Sequence, residues 1–413
     1  MNTKTKQMFK NVAAFPDNPN WEKYISREGE FSTDSADIRT EFERDYNRII
    51  NCCAYSRLKH KTQVFFATDN DHVCTRIEHV NYVASIAKSI AKYMGLNTEL
   101  VEAISLGHDL GHSPFGHHGE RIIIKIMQEE GFPYKFWHEY NSLRFIDDIE
   151  TLPNQDGLNE NLNLTYAVRD GIVSHCGEVD ENSLIPRKDY INLRKIQKGQ
   201  YMPFTYEGCV VKVSDKIAYL GRDLQDAALY NFFSKEDYAT LRQIAENIVK
   251  EKVKLKEINT TTLMHKFIQD LCENSTPETG LNFSHENYEL MRQIKKFNFE
   301  KICMNRRLKP FMEYANLVLR SLYTFLSEYY ADFNTITKLS RDEQYYRNII
   351  PSFSSWLIKY SNIDTQQRVV RKYKNKIIYN IENEMEYKQA IIDFISSMTD
   401  KFAIKAYEEL ITF

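Results

Sequence analysis

Residues 76–95, RIEHVNYVASIAKSIAKYMG, decide the fold class. Val80, Val83, Ala84, Ala87 and Ile90 recur at the spacing of one helical face, and Gly95 supplies a C-terminal stop. The segment therefore reads as an amphipathic helix with His79 in its first turns. Directly after it, Asn97 can cap a second helix, whose early Glu99 and Glu102 suit the positive end and whose Val101, Ile104 and Leu106 form an apolar side. That helix runs into residues 107–120, GHDLGHSPFGHHGE, so two consecutive helices can bring His79 and His108 together.

Working outward, Gly111, Pro114 and Gly116 interrupt regular structure, and a new helix is expected from about His117 through Arg121 to Gln128. Phe136–Ile149 reads as helix, residues 151–163 as an exposed connection rich in Asn, Asp and Gly, Thr165–His175 as helix, and residues 178–205 as a polar, irregular flap. The run VVKVSDKIAYLGRDLQDAAL resumes helical patterning through Leu229, and the remaining Lys-, Glu- and Leu-containing stretches lack strand alternation. The expected fold is all-α, with a helical core and additional helices in the C-terminal half. Its expected organisation is an N-terminal arm over 1–36, the core over 37–235, and a C-terminal region over 236–413 packed on that core as one structural unit.

The 413 residues easily suffice for a large core, and 14 Gly and 10 Pro leave no long linker between independent modules. A formal charge of -3, from 54 basic and 57 acidic residues, excludes a generally basic nucleic-acid-coating surface, so any phosphate affinity must be local. The 7 cysteines are scattered without a CxxC pair and read as reduced thiols. The polar start MNTKTKQMFKNVAAF and the lack of any run near about 18 apolar residues give the expectation of a soluble, cytoplasmic protein without a membrane partner.

The 107–120 stretch concentrates His108, His112, His117, His118, Asp109 and Glu120 among glycines, a density of ligating and proton-transferring groups that an inert core does not need. His108 and Asp109 cannot enclose a catalytic ion alone, because such an ion takes three or four protein donors and an open position for water. On the helix after Glu207, Asp215, Tyr219 and Asp223 are four residues apart and share one face at about 100° per residue. His79, His108, Asp109 and Asp215 would form a two-nitrogen, two-oxygen set suited to one divalent ion such as Mn²⁺, Mg²⁺, Co²⁺ or Fe²⁺. Taken singly, His79 or Asp215 fits a surface or satisfied-core role better than a ligand.

The pattern RIEH, then HD 29 residues later (108 − 79), then a distant SDKIAY, has the form of the HD phosphohydrolase signature. With ERDYNRIINCCAYSRLKHKTQVF, NLTYAVRDGIVSH, EGCVVKVSDKIAYLGRDLQDA and DFISSMTDKFA in the same order, the chain resembles HD-superfamily deoxynucleoside triphosphate triphosphohydrolases of the bacterial dGTPase-like kind, from about Asp37 to Glu409. WHEYNS and DKIAYLGRD also look like the sterile-alpha-motif-containing branch, although no such added domain is visible. The resemblance makes 37–235 an HD core and implies His79, His108, Asp109 and Asp215 as metal ligands, the motif having guided the choice of distant partners. It implies hydrolysis at the α-phosphorus, releasing a deoxynucleoside and intact triphosphate, with dGTP the leading substrate.

That reaction needs an acid for the departing 5′ oxygen, since an alkoxide leaves poorly, and cations around the phosphates. His117 is the candidate acid, with Glu120 one helical turn later to orient and support it. Arg76, His112 and Lys216 are candidate phosphate contacts by their placement beside ligands; Lys216 equally fits a solvated surface cation. His138 and Glu139 match a second His-Glu pair of the related branch, and Glu139 departs from the bacterial pattern, in which Asn follows the histidine. Tyr219, Asp223 and Gln63 resemble groups that bind the deoxyribose, although a buried phenol and a helix-surface carboxylate also fit the first two. His118 and His175 read as structural histidines.

LGHS after the HD pair is not the acidic pair of alarmone hydrolases, and no GYP motif follows. The alternatives are another HD phosphohydrolase, such as a nucleotidase or phosphodiesterase, and a catalytically silent nucleotide or single-stranded DNA sensor. The resemblance also implies a homo-oligomer, tetramer or hexamer, and a nucleotide or single-stranded DNA effector.

Overall fold

A computed structural model describes residues 7–29, 37–65, 72–176, 182–249 and 260–412. The start of the expected flap at 178 and parts of the expected N-terminal arm lie outside them. The fold is all-α; the sheet among the described residues is one small antiparallel hairpin, Thr151–Pro153 with Asn159–Asn161. The chain divides into two compact units, each assembled from separate stretches of sequence.

The first unit comprises Met1–Asn47, Asn70–His108 and Leu164–Lys309. Its centre is the Arg76–Met94 helix, packed on Thr98–Gly107 and Tyr206–Leu229, with Tyr166–Ser174 against the last two. The periodic positions Val80, Val83, Ala87 and Ile90 are fully buried, each aliphatic valine or isoleucine contributing about 1.5–3 kcal/mol. The helix starts where Glu78 accepts the Thr75 backbone N–H at 2.8 Å and its hydroxyl at 3.1 Å. It stops at Gly95, which takes a left-handed φ of 83°. Asn97 caps the next helix by accepting the backbone N–H groups of Glu99 and Leu100 at 3.0 and 3.2 Å. Gly171 lets the Tyr166–Ser174 helix approach closely, since a Cβ there would lie 2.4 Å from Ile104.

The second unit comprises Arg48–Asp69, Asp109–Asn163 and Pro310–Phe413. It holds the Gly116–Glu129 and His138–Arg144 helices and the C-terminal helices Ile349–Tyr360, Glu384–Ser397 and Asp400–Ile411. The helix expected over Phe136–Ile149 begins only at His138, because Trp137 is extended, and it ends in a π-helical turn, Phe145–Ile149. The 151–163 segment, expected to be an exposed connection, forms the hairpin instead. The Asn154 side chain accepts the N–H groups of Asp156 and Leu158 at 3.0 and 2.9 Å, closing its turn, and Asn159 exchanges backbone hydrogen bonds with Lys372 and Lys374.

Candidate metal centre and histidine–glutamate cluster

In the first unit, the packing of three helices brings together three side chains of the kind that can hold a metal ion. His79 lies one turn into Arg76–Met94, His108 follows Thr98–Gly107 directly, and Asp215 sits on Tyr206–Leu229. One donor atom from each lies within 4.8 Å of the others. His79 Nε2 is 2.9 Å and His108 Nε2 is 3.9 Å from the same Asp215 oxygen, Oδ1. Donors bonded to one ion at about 2.1 Å are about 3–4 Å apart, so these separations fit a shared cation. His108 Nδ1 donates to the Ser105 carbonyl at 2.6 Å, a bond that orients the ring and makes Nε2 the nitrogen that could hold a metal. His175, expected to be structural, packs edge-on to His108 with centroids 4.8 Å apart.

Asp109, the fourth expected ligand, follows His108 in the chain and opens the second unit. It is buried, with Oδ1 3.2 Å from His112 Nε2. Arg76 begins the helix that carries His79, and Lys216 follows Asp215; both are buried, so Lys216 is not the solvated surface cation that its sequence also allowed. On the same helix Tyr219 and Asp223 are half-buried. The Asp223 oxygen Oδ1 has no hydrogen-bond partner, and its carboxyl is pushed up to about 7 by burial, with Asp226 and Asp215 adding to it against His79 and Arg76. Asp226 accepts the Cys74 N–H at 3.2 Å and so anchors the approach to the Arg76–Met94 helix.

The second unit gathers His112, His117, Glu120 and His138, again with donor atoms within 4.8 Å of one another. Glu120 Oε2 lies 3.4 Å from His117 Nδ1 and 3.1 Å from His138 Nδ1, and Oε1 accepts the His138 backbone N–H at 3.3 Å. Burial pushes the Glu120 carboxyl up, but the bonds from His117 and His138 outweigh it and hold the group well below the usual range. Burial also works against a charged His138, yet Glu139 and Glu120 raise it to about 9. Glu139 is buried with Oε2 3.4 Å from His138 Nδ1. His112 stacks on His138, with centroids 3.9 Å apart and planes at 20°. His117 is the outer member, its side chain 56% exposed. His118 stands apart from this group, packed against Phe311, its imidazole pushed down to about 4 by burial, Arg121 and His117. Gln63 Oε1 is buried in this unit with no hydrogen-bond partner.

Several residues that hold this cluster in place were not singled out in the sequence. Buried Lys61 donates to the carbonyls of His112 and Ser396, and Asp400 accepts the N–H groups of Phe115 and Thr62 at 2.9 and 3.1 Å. Ser142 Oγ accepts the Gly111 N–H at 2.9 Å, and Asn141 donates to the Gly111 carbonyl at 2.7 Å. Their signal lay in the motifs KHKTQVF, WHEYNS and SSMTDKFA, which carry loop anchors as well as chemistry.

An HD domain matches residues 76–220, which span all four expected metal ligands, and a phosphohydrolase-associated domain matches residues 338–409. A deoxyguanosinetriphosphate triphosphohydrolase-like protein of Caldanaerobacter subterraneus is 32% identical over 377 residues, covering 91% of this chain and 86% of the relative. Like-named proteins of Desulfatibacillum aliphaticivorans and Rickettsia bellii are 31% and 30% identical over 90% of the chain, covering 88% and 92% of their own lengths. The chain belongs to this HD-domain triphosphohydrolase-like family. As a member it is a metal-dependent hydrolase of the dNTPase family, and the clusters above contain donors that could hold the ion. Among the described residues, no helix is long and apolar enough to cross a membrane.

Proposed function

We propose that this HD-family hydrolase cleaves a deoxynucleoside triphosphate, with dGTP the first to test, into deoxynucleoside and inorganic triphosphate. The observation that carries the reading is the convergence of His79, His108 and Asp215 on one point, with Asp109 following His108 in the chain. These four residues would hold a divalent ion, Mn²⁺, Mg²⁺, Co²⁺ or Fe²⁺, which when bound acidifies and orients water and offsets phosphate charge.

The remaining work falls to the protein's own side chains. Arg76, Lys216 and His112 offset the charge of the phosphates. Water forms a bond to the α-phosphorus as the bond to the 5′ oxygen breaks, His117 passes its proton to that oxygen, and the proton that the water gives up restores His117, so that one water is divided between the two products. Glu120, held ionised, keeps the His117 imidazole oriented for that transfer. His138 and Glu139 support that pair. Asp223 and Gln63, each with an unpartnered buried oxygen, offer acceptors to the sugar hydroxyl, and Tyr219 packs against the ring and disfavours a 2′ hydroxyl. The reading extends to a cytoplasmic homo-oligomer, tetramer or hexamer, with a nucleotide or single-stranded DNA effector.

The test is a panel of four dNTPs and four NTPs with Mg²⁺, Mn²⁺ and Co²⁺, in which inorganic triphosphate is measured directly. Triphosphate with deoxynucleoside is the expected product. Pyrophosphate with monophosphate would assign a different bond, and equal turnover of NTPs would remove the sugar roles of Tyr219, Asp223 and Gln63.

A further inference from the structure

We propose that His112, His117, Glu120 and His138 form a second divalent-cation site, selective for zinc-like ions, and that filling it stops turnover. The four residues supply three imidazole nitrogens and one carboxylate oxygen, all within 4.8 Å of one another. This donor set suits Zn²⁺, which takes histidine nitrogen and carboxylate oxygen at about 2.0–2.2 Å in a four-coordinate shell. The Glu120 oxygen lies 3.1 and 3.4 Å from the nitrogens of His138 and His117, the spacing that two ligands of one such ion adopt.

The side chains are held together before any ion arrives, by hydrogen bonds whose protons a bound ion would displace. Glu120 and His117 are one turn apart on the Gly116–Glu129 helix, while His138 opens the His138–Arg144 helix with its backbone N–H bonded to Glu120 at 3.3 Å. His112 is fixed by stacking on His138, by the Lys61 bond to its carbonyl, and by Asp109 at its Nε2, 3.2 Å away. A carboxylate on one ring nitrogen is the arrangement that orients a histidine for metal through the other, here Nδ1. Exposed His117 provides the way in and can swing to close the shell.

The two donor sets differ in character. Three nitrogens and one oxygen favour Zn²⁺ strongly over Mg²⁺ and Mn²⁺, whereas two nitrogens and two oxygens in His79, His108, Asp109 and Asp215 accept all of them. Manganese should therefore fill one site per chain and zinc two. The inhibitory half of the proposal rests on the acid role of His117 given above, because a nitrogen bonded to an ion cannot deliver a proton. The binding half stands without that role.

Metal-stripped full-length protein is dialysed against Zn²⁺ or Mn²⁺ and the bound ions are counted by mass spectrometry, with circular dichroism reporting folding. Two zinc ions and one manganese ion per chain are expected. His117→Ala, at an exposed position, and Glu120→Ala should each weaken one zinc ion at least about tenfold, while Asp215→Ala removes the other. One zinc per folded wild-type chain, or a second zinc unaffected by His117→Ala, overturns the site. Zinc added to manganese-loaded enzyme should abolish dNTP turnover as the second ion binds. Retained turnover with that site filled would refute the inhibition and the acid role of His117 while leaving the site intact. A chain that hydrolyses no dNTP with any metal would refute the proposed function, and the zinc count would still decide the site.

Discussion

Gly111→Ala should dislodge the loop that carries His112 from the helix that carries His138. A Cβ on Gly111 would lie 2.1 Å from the Ser142 nitrogen, 2.4 Å from the Asn141 carbonyl carbon and 2.6 Å from the His138 oxygen. All three are backbone atoms that no rotamer change can move. Carbon contacts become comfortable at about 3.5 Å, so loop and helix must separate by about 1 Å or more. That movement breaks the Gly111 bonds to Ser142 and Asn141, 2.9 and 2.7 Å long. Overpacking costs about 1–3 kcal/mol and each of the two broken bonds, leaving a buried polar group without a partner, about 1–3 more, giving a loss of about 3–9 kcal/mol. Misplacing a catalytic constellation by about 1 Å also costs about 10²-fold in rate. Gly131→Ala is the comparison, because Gly131 has φ of 77° but nothing within 4 Å of its added Cβ. It should lose only about 1 kcal/mol, from left-handed backbone strain, and keep its turnover. Urea unfolding followed by circular dichroism, with dNTP turnover on the same preparations, reads both effects. A Gly111→Ala protein that unfolds like the wild type and retains full turnover would refute the close approach.

Three further outcomes are expected. His117→Ala should lower kcat by about 10²–10⁴ with little change in KM, whereas a rise in KM at constant kcat would make His117 a phosphate contact instead of the acid. Asp215→Asn should weaken Mn²⁺ binding at least about tenfold in a dialysis measurement, and unchanged affinity would remove Asp215 from the ligand set. Burial pushes the Asp226 carboxyl up to about 6 despite Arg222 and the Cys74 N–H, so the folded protein holds that proton more tightly than the unfolded chain. Wild-type stability should therefore lose about 1–3 kcal/mol as pH rises from about 4 to about 6, a loss that Asp226→Asn flattens; parallel stability curves for the two proteins would contradict it.

The all-α fold was legible because the deciding helices carry strong three-and-four periodicity with local stops: Gly95 ends one and Asn97 begins the next. The hairpin at 151–161 was not legible, since its strands are three residues long and its stability comes from an Asn154 turn and from pairing with residues 372–374, distant in sequence. His79 and His108 could be matched from consecutive helices, whereas Asp215 was tied to them only by the family signature or by the folded chain, because nothing local links it to them. Lys61 and Asp400 escaped notice for a different reason. Their polar atoms bind backbone groups of the histidine loop, and no sequence spacing marks which backbone a side chain will meet.

Asp223 carries the strongest argument that the described protein is prepared for a polar ligand. Its Oδ1 is buried without a hydrogen-bond partner, a condition that costs about 1–3 kcal/mol and is rare in native folds unless something recovers it. The same deficit helps hold the carboxyl up at about 7, since no donor stabilises its ionised form. A hydroxyl that donates to Asp223 would therefore favour the carboxylate and expel the proton it shares with solvent at neutral pH. Binding of a non-hydrolysable dNTP analogue at pH 7 should release up to about half a proton per site, from a group about half protonated there. Calorimetry in two buffers of different ionisation enthalpy measures that release directly. Asp223→Asn should abolish it while weakening the analogue. If the wild type and Asp223→Asn release the same number of protons, Asp223 does not receive the ligand's hydroxyl, and its unpaired oxygen must be answered by something other than the sugar.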